Sequence, residues 1–148
     1  MKTYKSNLEK ISLVKEKTVY NRTRIASSRQ AYEVLKPLFN ENMEVFESFY
    51  MLTLNTANNT TGYSELSKGG IQSTIVDVRM VAKIALENLA TGVIVAHNHP
   101  SGNLNPSQAD INLTKKLKVG LNTLDIKLLD HIILSSNGYY SFENEGML

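Results

Sequence analysis

The sequence predicts an α/β domain, and three observations carry that prediction. A stripe at helical spacing, Val81, Ile84, Ala85, Leu86 and Leu89, leads straight into the apolar run Val93-Ile94-Val95-Ala96, which fits a strand buried on both faces. The same order returns downstream, where Pro106-Ser107 opens a helical segment and residues 126–134 read as a strand. The 148 residues contain no internal repeat, low-complexity tract or linker, which is one domain's worth of chain.

The elements follow in chain order. Ser27 and Ser28 are capping candidates for a helix whose face is Ala31, Val34, Leu35, Leu38 and Phe39, with Pro37 expected to weaken or end it. Residues 49–54, Phe-Tyr-Met-Leu-Thr-Leu, are a short apolar run stopped by Asn55-Thr56-Ala57-Asn58-Asn59, hence a buried strand and a turn. A further strand is expected around 62–66, before Gly69-Gly70 break the chain. Asp77 caps the next helix, with Gly92 as its expected stop. The helix opened by Pro106-Ser107 should run to about Val119 and end at Gly120. Asn137-Gly138 is a hairpin signal joining the 126–134 strand to residues 139–142.

Composition narrows the chemistry. With no cysteine, disulfides, thiolate nucleophiles, iron–sulfur clusters and sulfur-ligated zinc sites are excluded, so any metal must be held by His and carboxylates. Sixteen basic and fourteen acidic residues leave a net charge of +2, too little to imply a nucleic-acid binder. The charge is uneven: residues 1–24 carry seven Lys/Arg against Glu9 and Glu16, a balance of +5, and residues 25–148 carry −3. Residues 1–26 are therefore assigned to a basic N-terminal extension, a solvated arm that could touch an anionic partner such as DNA, and residues 27–148 to the domain. No apolar run of about 20 residues is present, and the lysine-rich start does not support a secretory signal, so a cytoplasmic protein without membrane contact is expected.

Two of the three histidines stand in His97-Asn98-His99-Pro100, at the end of the most apolar strand. Residues i and i+2 of a strand share a face, and Pro100 pushes His99 toward extended dihedrals, so both imidazoles can converge on one point. Eleven residues after His99, Asp110 arrives in the first turn of a new helix. Two imidazoles and a carboxylate leave a fourth tetrahedral position for water. Taken singly, His-X-His is common by chance, and Ser107-X-X-Asp110 is a capping-box start; taken together, joined by a Gly/Pro-punctuated loop, they point to a metal.

His97-X-His99-Pro100, Ser107 and Asp110 resemble the complete JAMM motif of the MPN/JAB metallopeptidases, and His97-Asn98-His99-Pro100-Ser101-Gly102 with Asn105-Pro106-Ser107 resembles the RadC-like branch in particular. The likeness runs from about Glu41 to the C-terminus and takes in Leu129-Asp130-His131-Ile132-Ile133 and Tyr140-Ser141-Phe142. It implies a three-layer α-β-α fold with a mixed β-sheet, of the cytidine deaminase-like type. It also implies Zn²⁺ on His97, His99 and Asp110, a bound water activated for attack on an amide of a peptide or protein substrate, and Ser107 helping to hold the oxyanion. The general base it implies is Glu47, with Glu44 one helical turn away as the alternative. Longer RadC proteins carry a helical region before this domain, and this chain looks like the compact versions associated with mobile elements.

Asp130 and His131 should face opposite sides of their strand unless a bulge intervenes; one of them orients a ligand imidazole, or the two are a hydrogen-bonded structural pair. His131 is not expected to be a metal ligand. Rival chemistries lack their residues: there is no His-Glu-X-X-His helix, and deaminase Cys ligands cannot exist here. A second function class stays open, a DNA-repair-associated accessory protein that keeps the metal without turnover. Loops 55–62 and 69–74 are where substrate specificity is expected.

Overall fold

A computed structural model describes residues 22–69 and 76–148. Most of the basic N-terminal segment and most of the 69–74 loop lie outside these residues. The elements are α1 (Ser28–Phe39), β1 (Ser48–Leu54), β2 (Thr60–Lys68), α2 (Val78–Glu87), β3 (Gly92–Asn98), α3 (Gln108–Thr123), β4 (Lys127–Ser135) and β5 (Gly138–Ser141). The five strands form one mixed sheet in the order β2-β1-β3-β4-β5, with β3 and β4 parallel and every other pairing antiparallel.

The apolar periodicities decide the layers. Ala31, Leu35 and Phe39 of α1 pack on Leu52, Leu54, Ile94, Ala96, Ile132 and Leu134. Val81 and Ala85 of α2, with Leu117 and Leu121 of α3, cover Met51, Val93 and Val95 on the opposite face. Helices on both faces of the sheet give the expected three layers. Strand β3 is buried throughout because both of its faces are covered. No helix among the described residues is long and apolar enough to cross a membrane.

Residues 23–25 do not stand apart from this body: Ile25 N–H donates to Asn58 O at 2.9 Å, Thr60 N–H donates to Thr23 O at 2.9 Å, and Ile25 is buried.

Helix ends differ from expectation in an instructive way. Helix α2 stops at Glu87, ahead of Gly92, because Leu89 takes the left-handed conformation with φ 50°. Leu89 N–H then donates to Leu86 O and Ala90 N–H to Ala85 O, which is the Schellman closure. Helix α3 runs through Gly120 and ends three residues later, closed the same way by Asp125 at φ 57°. Gly120 packs toward Val78 of α2. Pro37 lies inside the last turn of α1, which ends two residues beyond it. In the β4–β5 hairpin the loop residues are Ser136 and Asn137, one position earlier than expected, since Ser135 pairs with Gly138 and only Gly138 has a positive φ.

Candidate metal centre

Alternation along β3 places His97 on the α2/α3 face together with Val93 and Val95, while Ala96 and Asn98 face the α1 layer. His99 follows just past the strand end. Because β1 is antiparallel to β3, its first residues lie beside the last residues of β3, and Phe49 pairs with His97. Glu47, next before β1, is brought to the histidines by that register. Helix α3 brings Asp110 from below: its N-cap is Ser107, whose Oγ accepts from Asp110 N–H at 3.1 Å, while Asp110 Oδ2 accepts from Ser107 N–H at 2.8 Å. The capping box and the metal reading thus share one carboxylate.

The donor atoms meet at one point. His97 Nε2 and His99 Nε2 are 3.0 Å apart. Asp110 Oδ1 lies 3.3 Å from His97 Nε2, and Oδ2 lies 3.4 Å from His99 Nε2. Glu47 Oε1 is 3.9 Å from His97 Nε2, and Glu47, His97 and His99 each offer an atom within 4.8 Å of the others. Glu44 is exposed in the preceding turn.

Hydrogen bonds on the far sides fix which nitrogen is free. Thr114 Oγ1 donates its one proton to Asp110 O at 2.7 Å, so it accepts from His131 Nδ1 at 2.6 Å. His131 Nε2 is then an acceptor, and the proton in its 2.8 Å contact with His97 Nδ1 belongs to His97. His99 Nδ1–H donates to Asn103 O at 2.6 Å. Both Nε2 lone pairs therefore point at each other and at a carboxylate, an arrangement that a cation relieves. Burial holds His131 well below the usual imidazole pKa, which keeps it neutral in this chain of donors. Burial works against the charged form of Asp110, and the hydrogen bond its Oδ2 accepts from Ser107 N–H favours it.

Donors at about 2.0–2.2 Å from a tetrahedral ion are separated by about 3.3–3.6 Å. The 3.3 Å from Asp110 Oδ1 to His97 Nε2 matches that edge, the 3.0 Å between imidazoles is slightly short, the 3.4 Å to His99 Nε2 comes from the other carboxylate oxygen, Oδ2, and Glu47 Oε1 is 3.9 Å from His97 Nε2. The residues present fit a small divalent cation bound by His and carboxylate.

Asp130 and His131 are separated in role. A register shift at the start of the β3–β4 pairing sets Asp130 opposite Ile94 and His131 opposite Val95. His131 therefore reaches His97, and Asp130 accepts from Ser141 Oγ at 2.6 Å, His131 N–H at 2.7 Å and Glu143 N–H at 3.1 Å. Nothing in the sequence singles out Thr114 beyond its place one turn after Asp110, from which a threonine hydroxyl can bond back to the helix.

A cleft of about 740 Å³ opens over the cluster, lined by the apolar Phe49, Val76 and Leu113 and the polar Asn103, Asn105 and Ser107. Glu47 and Asp110 line it, and no described Lys or Arg does.

Residues 25–147 match the model of the RadC-like JAB domain. The chain is 51% identical over 124 residues to a UPF0758 protein of Flavobacterium johnsoniae, covering 84% of this chain and 53% of that one. It is 38% identical over 128 residues to a UPF0758 protein of Porphyromonas gingivalis, covering 86% and 56%. Over 102 residues it is 45% identical to UPF0758 protein YfjY of Escherichia coli K12, covering 69% and 64%. The chain spans about half the length of the first two of these relatives.

Proposed function

The chain belongs to the RadC-like JAB domain family, and on that premise we propose that it is a zinc-dependent hydrolase of the JAMM type, cleaving an amide bond in a peptide or protein substrate. The observation that carries this reading is the convergence of His97 Nε2, His99 Nε2 and the Asp110 carboxylate, at 3.0, 3.3 and 3.4 Å, with Glu47 Oε1 3.9 Å from His97 Nε2 beside them. His97, His99 and Asp110 are the zinc ligands and Glu47 is the base. When bound, the ion lowers the pKa of a coordinated water to about 7 and polarises a carbonyl.

The rest is done by the chain's own side chains. Glu47 takes the proton of the attacking water as its oxygen adds to the carbonyl carbon, then returns that proton to the amine nitrogen as the C–N bond breaks. Ser107 Oγ already accepts from Asp110 N–H, so its own proton is available to the carbonyl oxygen as negative charge develops there. Capping and oxyanion stabilisation use opposite ends of one hydroxyl and do not compete. The carboxylates of the cleft and its lack of described cations favour an uncharged peptide backbone over a phosphodiester.

Purified protein should contain about one zinc per chain, and His97→Ala/His99→Ala should lose it; equal metal content in both would end the zinc reading. Glu47→Gln should keep zinc and lose hydrolysis of a peptide library, and retained turnover would move the base elsewhere.

A further inference from the structure

Asn98 sits between the two histidines in sequence and points away from them, into the α1 face, where it is fully buried. Its side-chain amide has two N–H donors and one carbonyl. Nδ2 donates to Met43 O and to Phe46 O, both at 2.8 Å, and Oδ1 accepts from Ser48 N–H at 2.8 Å. Both donors and the carbonyl are used, and two of the three bonds go to the residues immediately before and after Glu47. The chain here crosses from α1 to β1 through the turns at residues 40–45, with no regular ladder to hold it. On the other side, Gly69 N–H donates to Glu47 O at 2.8 Å.

We propose that Asn98 is the positioning residue for Glu47: it fastens the backbone on both flanks of the base, so that the strand supplying a metal ligand on one face sets the base from the other. This rests on the reading of Glu47 as the base. A strand that places His97 and His99 necessarily turns the residue between them to the opposite face, and here that residue ties the β1 entry to the same rigid element. A base displaced by about 1 Å costs rate on the order of 10²-fold, which is why such support matters. Removing the amide leaves Met43 O, Phe46 O and Ser48 N–H without these partners, while His97 and His99 keep theirs.

The test uses the full chain loaded with Co²⁺ in place of zinc, read by metal content and by visible absorption between about pH 5 and 9, where solvent on a metal ion titrates. Asn98→Ala should bind one Co²⁺ per chain, shift the pH profile in the same direction as Glu47→Gln, and add nothing when combined with Glu47→Gln. A parent-like profile in Asn98→Ala beside an altered one in Glu47→Gln overturns the proposal, as does an additive double variant or loss of cobalt. If Glu47→Gln itself matches the parent, the reading of Glu47 as the base falls, and the positioning role with it. Should Asn98→Ala fail to fold, Asn98→Ser keeps a polar group in the pocket but cannot span three backbone partners, and the same outcomes decide.

Discussion

Thr114 has a single hydroxyl proton, and its gift to the Asp110 carbonyl is what makes His131 a donor to Thr114 and an acceptor from His97. His131→Phe should keep the packing against Phe142, whose ring stacks on His131 at 4.7 Å, and remove only the hydrogen bonds. The expected result is metal affinity weakened about 10–100-fold, measured by competition with a chromophoric chelator; an unchanged affinity would reduce His131 to a packing residue. Thr114→Val should act in the same direction, and the two together should cost no more than His131→Phe alone, since they remove one chain of bonds. That His97 and His99 share a face was legible from strand spacing, and Asp110 from its place at a helix start in the motif the sequence resembles. The outer partners were not, because which of Asp130 and His131 turns inward depends on a register shift between β3 and β4 that no local pattern announces.

Element existence and the helix starts at Ser27, Asp77 and Ser107 were legible, and the helix stops were not. Apolar runs and stripes report burial, which is what the sheet and helices satisfy, whereas the stops were read from glycines. Helices α2 and α3 instead close on Leu89 and Asp125, non-glycine residues held at positive φ. A left-handed leucine costs about 1–2 kcal/mol, and Leu89 is 81% exposed, so it has little packing to lose. Leu89→Gly should therefore stabilise the domain by about 1 kcal/mol in denaturant titration; destabilisation would mean that the leucine side chain contributes through contacts. Gly120→Ala tests the opposite case. An added Cβ would meet Val78 Cγ1 at 3.5 Å, an ordinary contact, inside a helix that glycine weakens. A gain of about 0.5–1 kcal/mol is expected, and a loss would show that the α2–α3 approach is tighter than that distance.

At the scale of the molecule, the sheet changes from antiparallel to parallel pairing at β3, and the site lies where that change brings a strand start beside a strand end. The cleft is acidic, and the basic charge of the chain is concentrated in residues 1–24. Any affinity for DNA should accordingly follow the arm and not the cleft. Removing residues 1–21 should abolish salt-sensitive binding in fluorescence anisotropy, and His97→Ala/His99→Ala should leave it unchanged. Binding that survives the deletion would place the contact on the domain.

The split of the site along the chain has a consequence for assembly. His97, His99, Asp110, Thr114 and His131 all come from the consecutive β3-α3-β4 unit, while Glu47 is imported from the β1 hairpin. On the roles proposed above, the metal-holding half is local and the base is not. An ion present at 100-fold over its dissociation constant would stabilise the first half by about 2.7 kcal/mol, and do nothing to enforce the docking of the second. A chain with β1 out of register could load its metal fully and still lack a base, so occupancy is a measure of half the fold.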